Sequence, residues 1–133
     1  MYRFVFLVIC MSNYMEASLV GSKVPLTPED IKADEFQDII LRSEIECNLG
    51  LSSANWYELN GQITGTKQVI AGLKYEFRLP LQETDCNKQT VLENAEQNGC
   101  SYKESGTTVN CYVVFVQEAD TGETTIDVTF RED

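Results

Sequence analysis

The most regular alternation of hydrophobic and polar positions lies in the stretch LKYEFRLPL, which begins at Leu73. Successive side chains of a strand point to opposite faces of a sheet, so alternation predicts a half-buried antiparallel strand. Pro80 is expected near its end. The predicted apolar face carries Leu73, Tyr75, Phe77, Leu79 and Leu81.

Apolar positions three and four residues apart precede this strand and predict a helix. Thr27 suits the N-cap, Pro28 suits the first helical position, and acidic residues follow where they favour the helix dipole. We expect one continuous helix that runs to about Asn48, with Gly50 marking its end. Its buried face is expected to carry Ala33, Phe36, Ile40, Ser43 and Cys47.

Three further runs predict strands, at residues 56–70, 111–116 and 124–130. The first run is long and contains Gly61 and Gly65, so we expect a bulge or a strong bend within it. The last two form a hairpin around Asp120-Thr121-Gly122. One helix followed by four strands, with room for a short strand before the helix, predicts an α+β domain. In it, one helix is wrapped by a four- to five-stranded antiparallel sheet.

The chain begins with Arg3 and an apolar run from Phe4 to Met11, followed by a polar stretch. This layout predicts a secretory signal peptide at residues 1–17, cleaved after Ser12 or Ala17. The alternative is a buried first strand. A single domain at residues 18–133, secreted to the extracellular space, is the corresponding prediction.

Composition excludes several classes of function. The formal net charge is −11, and a surface this acidic repels nucleic acid and anionic lipid, so neither nucleic acid nor membrane is an expected partner. Histidine is absent, which removes the usual base of Ser and Cys nucleophiles and the commonest zinc ligand. A pair of carboxylates could still perform acid–base chemistry, but none of the 21 acidic residues forms a recognisable pair. We therefore expect a protein that is not an enzyme and holds no metal or cofactor.

Four cysteines remain after the predicted cleavage: Cys47, Cys86, Cys100 and Cys111. An even number in a small secreted chain predicts two disulfides, with three possible connectivities. Metal binding is the weaker interpretation because the chain has no CxxC pair. Cys86 and Cys100 lie in a polar excursion at residues 82–108, where one helical turn is expected around Val91 to Ala95.

The stretch Gln68-Val69-Ile70-Ala71-Gly72 places apolar side chains where a hairpin turn is expected. It resembles the Gln-X-Val-X-Gly signature of the cystatin family, with Ile70 in place of the family's Val. Leu19-Val20-Gly21 resembles the Leu-Val-Gly trunk of secreted cystatins. Together with the order of helix, hairpins and cysteines, the resemblance covers the chain from Leu19 to Phe130. The second hairpin loop departs from it, because Ala119 and Asp120 stand where secreted cystatins carry Pro-Trp.

The resemblance implies reversible, competitive inhibition of papain-like cysteine proteases, of the cathepsin L type or similar. Three segments would form an apolar wedge that fills the active-site cleft: Leu19–Gly21, Gln68–Gly72 and the loop at Ala119–Asp120. Leu19 and Val20 would occupy substrate pockets, Gly21 would act as a hinge, and Gln68–Gly72 would lie over the catalytic cysteine. The alternative is a secreted cystatin-fold binding or carrier protein without inhibitory activity.

The same resemblance implies a Cys86–Cys100 disulfide, which matches the family's first bridge. Cys47 shares the apolar helix face, and Cys111 has the strand parity of Val113 and Phe115, so a second bridge between them is predicted. Two free thiols are the alternative. The apolar hairpin also predicts a monomer that can form an inactive, domain-swapped dimer.

Overall fold

The computed structural model describes residues 21–94 and 99–131. The predicted signal peptide, Leu19 and Val20 lie outside these residues. The helices are α1 (Pro28–Lys32), α2 (Asp34–Gly50) and α3 (Lys88–Glu93). The strands are β1 (Lys23–Pro25), β2 (Asn55–Leu59), β3 (Thr64–Ile70), β4 (Gly72–Asn87), β5 (Thr108–Glu118) and β6 (Thr124–Arg131). None of the described helices combines the length and the apolar character that crossing a bilayer requires.

The strands form one antiparallel sheet in the order β1-β3-β4-β5-β6, and β2 pairs with the second half of β4. The helix α2 packs on one face of this sheet, which confirms the predicted α+β class. The described residues contain six strands rather than four or five. The short β1 is the strand for which the sequence left room before the helix, and the sixth strand arises because the predicted strand at residues 56–70 is divided.

The predicted strand at residues 56–70 is wrong as a single element. It divides into β2 and β3, which lie end to end along β4, and the chain leaves the sheet around Gly61, whose φ is +136°. Pro80 lies opposite this gap in the middle of β4, not near its end. Its carbonyl accepts from Asn60 N–H at 2.9 Å. The nitrogen and oxygen of a strand residue point the same way, so the Pro80 nitrogen also faces the gap. The absence of an N–H on proline therefore breaks no hydrogen bond between strands.

The predicted continuous helix is also divided. Thr27 caps α1 as expected, accepting from Asp30 N–H while Asp30 accepts from Thr27 N–H. Ala33 then adopts an extended ψ of 141°, so α2 begins anew at Asp34. Ala33 is consequently exposed rather than buried, whereas Phe36, Ile40, Ser43 and Cys47 are buried as predicted.

The core lies between α2 and the alternating face of β4 and β5. Phe36 meets the ring of Phe77 edge to face, with centroids 5.1 Å apart. Leu79 and Cys111 pair across β4 and β5 and are fully buried. Because β4 runs on to Asn87, the polar excursion begins later than its composition suggests. A short helix is present there, but α3 begins at Lys88, three residues before the predicted turn at Val91 to Ala95, and Ala95 lies outside the described residues.

Two disulfides are present in the structure. Cys47 of α2 is joined to Cys111 of β5, with Cα atoms 6.3 Å apart, so the bridge ties the helix to the sheet. Cys86 is joined to Cys100 with Cα atoms 5.5 Å apart, and this bridge closes the excursion that contains α3.

Candidate functional site

The structure brings three predicted site segments together at one end of the sheet. Gly21 N–H donates to the carbonyl of Val69 at 2.7 Å, and the Gln68 side chain donates back to the Gly21 carbonyl at 2.5 Å. On the other side, Ala119 N–H donates to the carbonyl of Ala71 at 3.1 Å. The first hairpin therefore lies in the middle, flanked by Gly21 and by the second hairpin. The remaining predicted residues, Leu19 and Val20, precede the described part of the chain.

The first hairpin is tighter than its sequence suggests. Ile70 pairs with Gly72, so Ala71 alone forms the turn, and Val69 and Ile70 are the last residues of β3 rather than loop residues. The Val69 side chain is 51% exposed at the outer end of the sheet. Leu41 and Leu49 on α2 are more exposed still, so it is the position of Val69 at the hairpin, beside Gly21 and Ala119, that suits contact with another molecule.

Gly72 explains how the two hairpins come so close. Its φ is +136°, a conformation that residues with a Cβ rarely adopt. A Cβ at this position would lie 1.9 Å from the carbonyl oxygen of Gln117 and 2.9 Å from Ala119 N. Any larger residue must therefore push β5 and the second hairpin away from the first.

The second hairpin is held by its own polar groups. Glu118 N–H donates to the Glu123 carbonyl at 2.9 Å, and Gly122 N–H donates to the Glu118 carbonyl at 2.8 Å. Thr121 Oγ1 accepts from Glu123 N–H at 3.1 Å. These bonds leave Asp120 exposed in the turn, without an ion pair among the described residues. The tip of this hairpin is accordingly acidic where the first one is apolar.

The segment after Gly21 is fastened by ion pairs that the sequence did not reveal. Lys23 Nζ lies 3.1 Å from Glu76 Oε2, and the hydrogen bond from Lys23 is the main reason that the pKa of Glu76 is lowered. Lys67 Nζ donates to Asp30 at 2.8 Å and, with Thr27 N–H, lowers the pKa of Asp30 to about 2. Alternation alone places Lys23 and Glu76 on polar faces, but only the register β1-β3-β4 makes them neighbours.

The groups at this end of the sheet suit contact with another molecule. They include backbone groups, apolar side chains and the carboxylates of Glu118, Asp120 and Glu123. Within residues 21–94 and 99–131, no three His, Cys, Asp or Glu side chains are arranged to hold a metal ion. The geometry is that of a ridge of three adjoining segments, which suits insertion into a groove of another molecule.

Solved structures of similar shape share this arrangement of helix and sheet. Al-CPI matches with a TM-score of 0.67 at 16% identity, covering 84% of this chain and 100% of that one. A salivary cystatin from the soft tick Ornithodoros moubata matches with a TM-score of 0.57 at 12% identity, covering 84% and 98%. Dimeric human cystatin F gives 0.58 at 14% identity, covering 85% and 90%. The chain has the cystatin fold.

Sequence comparison points the same way. Mouse kininogen-1 is 30% identical over 89 residues, and T-kininogen 2 from the rat is 29% identical over 96 residues. These matches cover 65% and 71% of this chain but only 13% and 22% of the relatives, so the chain corresponds to a small part of each. No model of a known protein family matches the chain. The resemblance to the cystatin family is confirmed by these relatives and by the fold.

Proposed function

We propose that the chain is a reversible, competitive inhibitor of papain-like cysteine proteases, and that its wedge blocks the active-site cleft. The observation that carries this proposal is the hydrogen-bonded alignment of Gly21, the first hairpin and Ala119 at one end of the sheet. The segments that the family resemblance assigns to the wedge are neighbours in space although about fifty residues separate each from the next.

Burial of apolar surface would drive the binding. Val69 is half exposed in the free chain, and transfer of such a side chain into a dry cleft is favourable by about 1 kcal/mol or more. Because Val69 and Ile70 belong to β3, they lose little conformational freedom when they dock. The backbone contacts from Gly21 and Ala119 fix the same segment from both sides.

The wedge would inhibit without being cut because its central segment is not a loose loop. Ile70 and Gly72 pair across a single turn residue, and Gly72 is held against Gln117. A peptide bond in this geometry resists the extended conformation that a protease cleft imposes on a substrate. Leu19 and Val20 would add contacts in neighbouring substrate pockets.

Secretion completes the proposal. Two disulfides, the signal peptide predicted at residues 1–17 and an acidic composition fit an extracellular protein of one cystatin-like domain, residues 18–133. The partners would be cathepsin L-type or similar enzymes encountered there.

A second candidate function is a cystatin-fold binding or carrier protein that does not inhibit proteases. Asp120 favours it, because the exposed tip of the second hairpin carries a charge where an aromatic anchor would contribute most to a dry interface. In this case the apolar first hairpin would contact a different protein.

Titration of papain and of a cathepsin L-type protease with the refolded chain tests the proposal. Active-site-competitive inhibition with a Ki below about 1 µM supports it, and the absence of inhibition at tens of micromolar rejects it in favour of the second candidate. Val69→Asp is the informative variant, because it forces an unpaired charge into the cleft and should cost about 2 kcal/mol or more of binding free energy.

Leu41→Asp is the matched control. Leu41 is 60% exposed on α2 and belongs to none of the three wedge segments, so the variant adds the same charge to a similarly exposed aliphatic position. It should inhibit as the parent does. Equal inhibition by parent and Val69→Asp would show that the first hairpin does not enter the cleft.

A further inference from the structure

The strand β6 ends the sheet with an unpaired edge. Its one neighbour among the described strands is β5, so the backbone groups on its other side have no strand partner in residues 21–94 and 99–131. Free edges of this kind are templates for pairing with another chain. Proteins usually blunt them with charges, and β6 carries two, Asp127 and Arg131.

These two charges lie on the same face of β6 and are four residues apart. Both are exposed on the sheet face opposite α2, with Thr129 between them. The Arg131 guanidinium lies 4.5 Å from the centroid of the Tyr112 ring, which positions it over the outer face of the sheet. Asp127 makes no ion pair with any described residue.

This spacing makes β6 complementary to a second copy of itself. When two β6 strands pair antiparallel about Thr129, Asp127 of each copy stands opposite Arg131 of the other, which gives two ion pairs on the outer face. On the helix side, Val128 stands opposite Phe130 twice. Residues paired in this register have equal parity, so polar meets polar and apolar meets apolar.

Neighbouring registers lack this match. Centring the pair on Asp127 places two aspartates opposite each other, and centring it on Arg131 opposes two arginines. Centring it on Val128 leaves both charges facing threonines. Among pairings confined to the residues of β6, Thr124–Arg131, charge therefore selects the register about Thr129.

An apolar stripe on α2 lies beside the same edge. Arg42 donates to Thr124 Oγ1 at 2.8 Å near the start of β6, Ile45 and Ile126 line a common cleft, and a Cβ on Gly50 would lie 3.0 Å from the Phe130 ring. The helix therefore follows β6 along its length. Ile45 is 41% exposed and Leu49 is 59% exposed, one helical turn apart on this flank.

We propose that the chain forms a two-fold symmetric dimer in which the β6 strands of two copies pair antiparallel about Thr129. The two sheets become continuous, and the α2 helices lie side by side over the seam with Leu49 from each copy turned toward the other. The described overlap spans five residues, Asp127–Arg131, so the interface is small. We expect a dissociation constant on the order of tens of micromolar.

This dimer leaves the wedge free. The seam is at the end of β6 that is far from the second hairpin, so the hairpins of the two copies point in opposite directions. A domain-swapped dimer would instead open the first hairpin and hide it. The edge dimer is independent of the proposed inhibitory function, because its readout is the state of association.

Charge exchange tests the pairing. Sedimentation equilibrium of the full chain at about 0.15 M salt, which screens the repulsion of two acidic chains, should show a reversible monomer–dimer equilibrium. Asp127→Arg opposes arginines at both sites, and Arg131→Asp opposes aspartates. Each variant alone should lower the association constant at least roughly tenfold, whereas an equimolar mixture should form a heterodimer with the parent's affinity or better.

Two further variants separate pairing from general effects. Glu104→Arg changes the net charge as much as Asp127→Arg does, but at an exposed turn away from β6, and should dimerise like the parent. Leu49→Glu keeps β6 intact and should weaken the dimer because it places two carboxylates at the seam. A parent that stays monomeric up to about 500 µM, or a mixture of the charge variants that does not associate, overturns the proposal.

Discussion

The two ends of strands β4 and β5 differ in where they place apolar and polar side chains. At one end, Val69 is half exposed and the hairpins meet through backbone contacts that a single glycine makes possible. At the other end, called the helix end because the last turns of α2 pack there, the buried groups include the Cys47–Cys111 disulfide and the side chain of Asn48. The Asn48 amide donates to the carbonyls of Glu44 and Tyr57 and accepts from Tyr57 N–H. About seven residues of β5, on the order of 23 Å, separate the two ends.

The difference indicates a division between stability and binding. Side chains at the helix end are satisfied within the chain, so their removal costs free energy of folding. Val69 at the hairpin end contributes little to the free energy of folding, because an exposed side chain has few contacts to lose. It would contribute instead to the free energy of binding in a complex. Substitutions at the two ends should therefore change different measurements.

The largest expected effect is at the helix end. Replacing both members of the Cys47–Cys111 bridge by alanine releases a constraint across 64 residues and should lower the free energy of unfolding by roughly 4 kcal/mol. Urea denaturation of parent and variant measures this, while the Ki at a temperature where both are folded should stay the same. Reduced inhibition by a fully folded variant would contradict the proposal that the helix end contributes to stability and not to binding.

The second bridge tests whether the loss of stability depends on the length of the loop that a disulfide closes. Removing Cys86–Cys100 in the same way frees a separation of only 14 residues and should cost about 3 kcal/mol. Non-reducing peptide maps should recover both pairs from the parent. Alkylation of Cys47 or Cys111 in the unreduced native chain would contradict the first pairing.

At the hairpin end, Gly72→Ala should have the largest effect on binding. The new methyl group collides with the Gln117 carbonyl, so the two hairpins must separate and the wedge loses its alignment. We expect the Ki to rise roughly a hundredfold. Gly99→Ala is a suitable comparison, since Gly99 also has a positive φ, of 84°, but open space where its Cβ would be. Equal Ki values for both variants would contradict the close approach as the cause.

The sequence predicts both ends of this comparison unequally. Alternation in β4 and the helix face around Phe36 and Cys47 are local patterns, and they give the core and the fold class. The site was predicted only through a family resemblance, because exposed Val69 has no local explanation. The contact between Gly72 and Gln117 depends on the register of β4 against β5, to which no short stretch of sequence refers.

Two predictions from the sequence, the continuous helix and the position of Pro80 near a strand end, are wrong for reasons that lie in tertiary packing. Nothing near Ala33 signals a helix break, since alanine favours helices. The break separates a short α1, tied to β3 by the Asp30–Lys67 ion pair, from α2, which follows the sheet. Similarly, Pro80 has no backbone N–H, so from the sequence alone it indicates the end of a strand. In the structure it lies within β4, because its nitrogen faces the gap between β2 and β3, where no strand requires a donor.

A pH-dependent effect of intermediate size is expected at the helix end. Burial raises the pKa of Glu44 to about 7, against the hydrogen bond from Leu59 N–H at 2.8 Å, and the nearby charge of Glu58 adds to the increase. Tyr102 lies beside them, donating to the Leu59 carbonyl at 2.7 Å. The folded state thus holds this proton more tightly than the unfolded chain, whose Glu titrates near 4.5.

Because the folded state binds the Glu44 proton more tightly, protonation of Glu44 stabilises the fold. The contribution of Glu44 to stability is complete below pH 4.5 and is lost as the pH rises through about 7. Glu44→Gln keeps an acceptor for Leu59 N–H but cannot ionise, so its free energy of unfolding should exceed the parent's by about 3 kcal/mol at pH 8 and match it near pH 4. Denaturation at both pH values measures the difference, with inhibition unaffected. A constant difference between pH 4 and pH 8 would exclude a buried, titrating Glu44.

The smallest expected effect sharpens the contrast within the hairpin end itself. Asp120 is exposed at the tip of the second hairpin, and its turn is held by Glu118, Thr121 and Gly122 without help from its carboxylate. Asp120→Trp should therefore leave the free energy of unfolding unchanged. It replaces a hydrated charge by an aromatic anchor, so the Ki should fall roughly tenfold. Asp120→Asn removes the charge without adding an anchor and should improve inhibition by a smaller factor. If Asp120→Trp inhibits no better than Asp120→Asn, the second hairpin does not reach the protease, and only the first hairpin and the trunk form the contact.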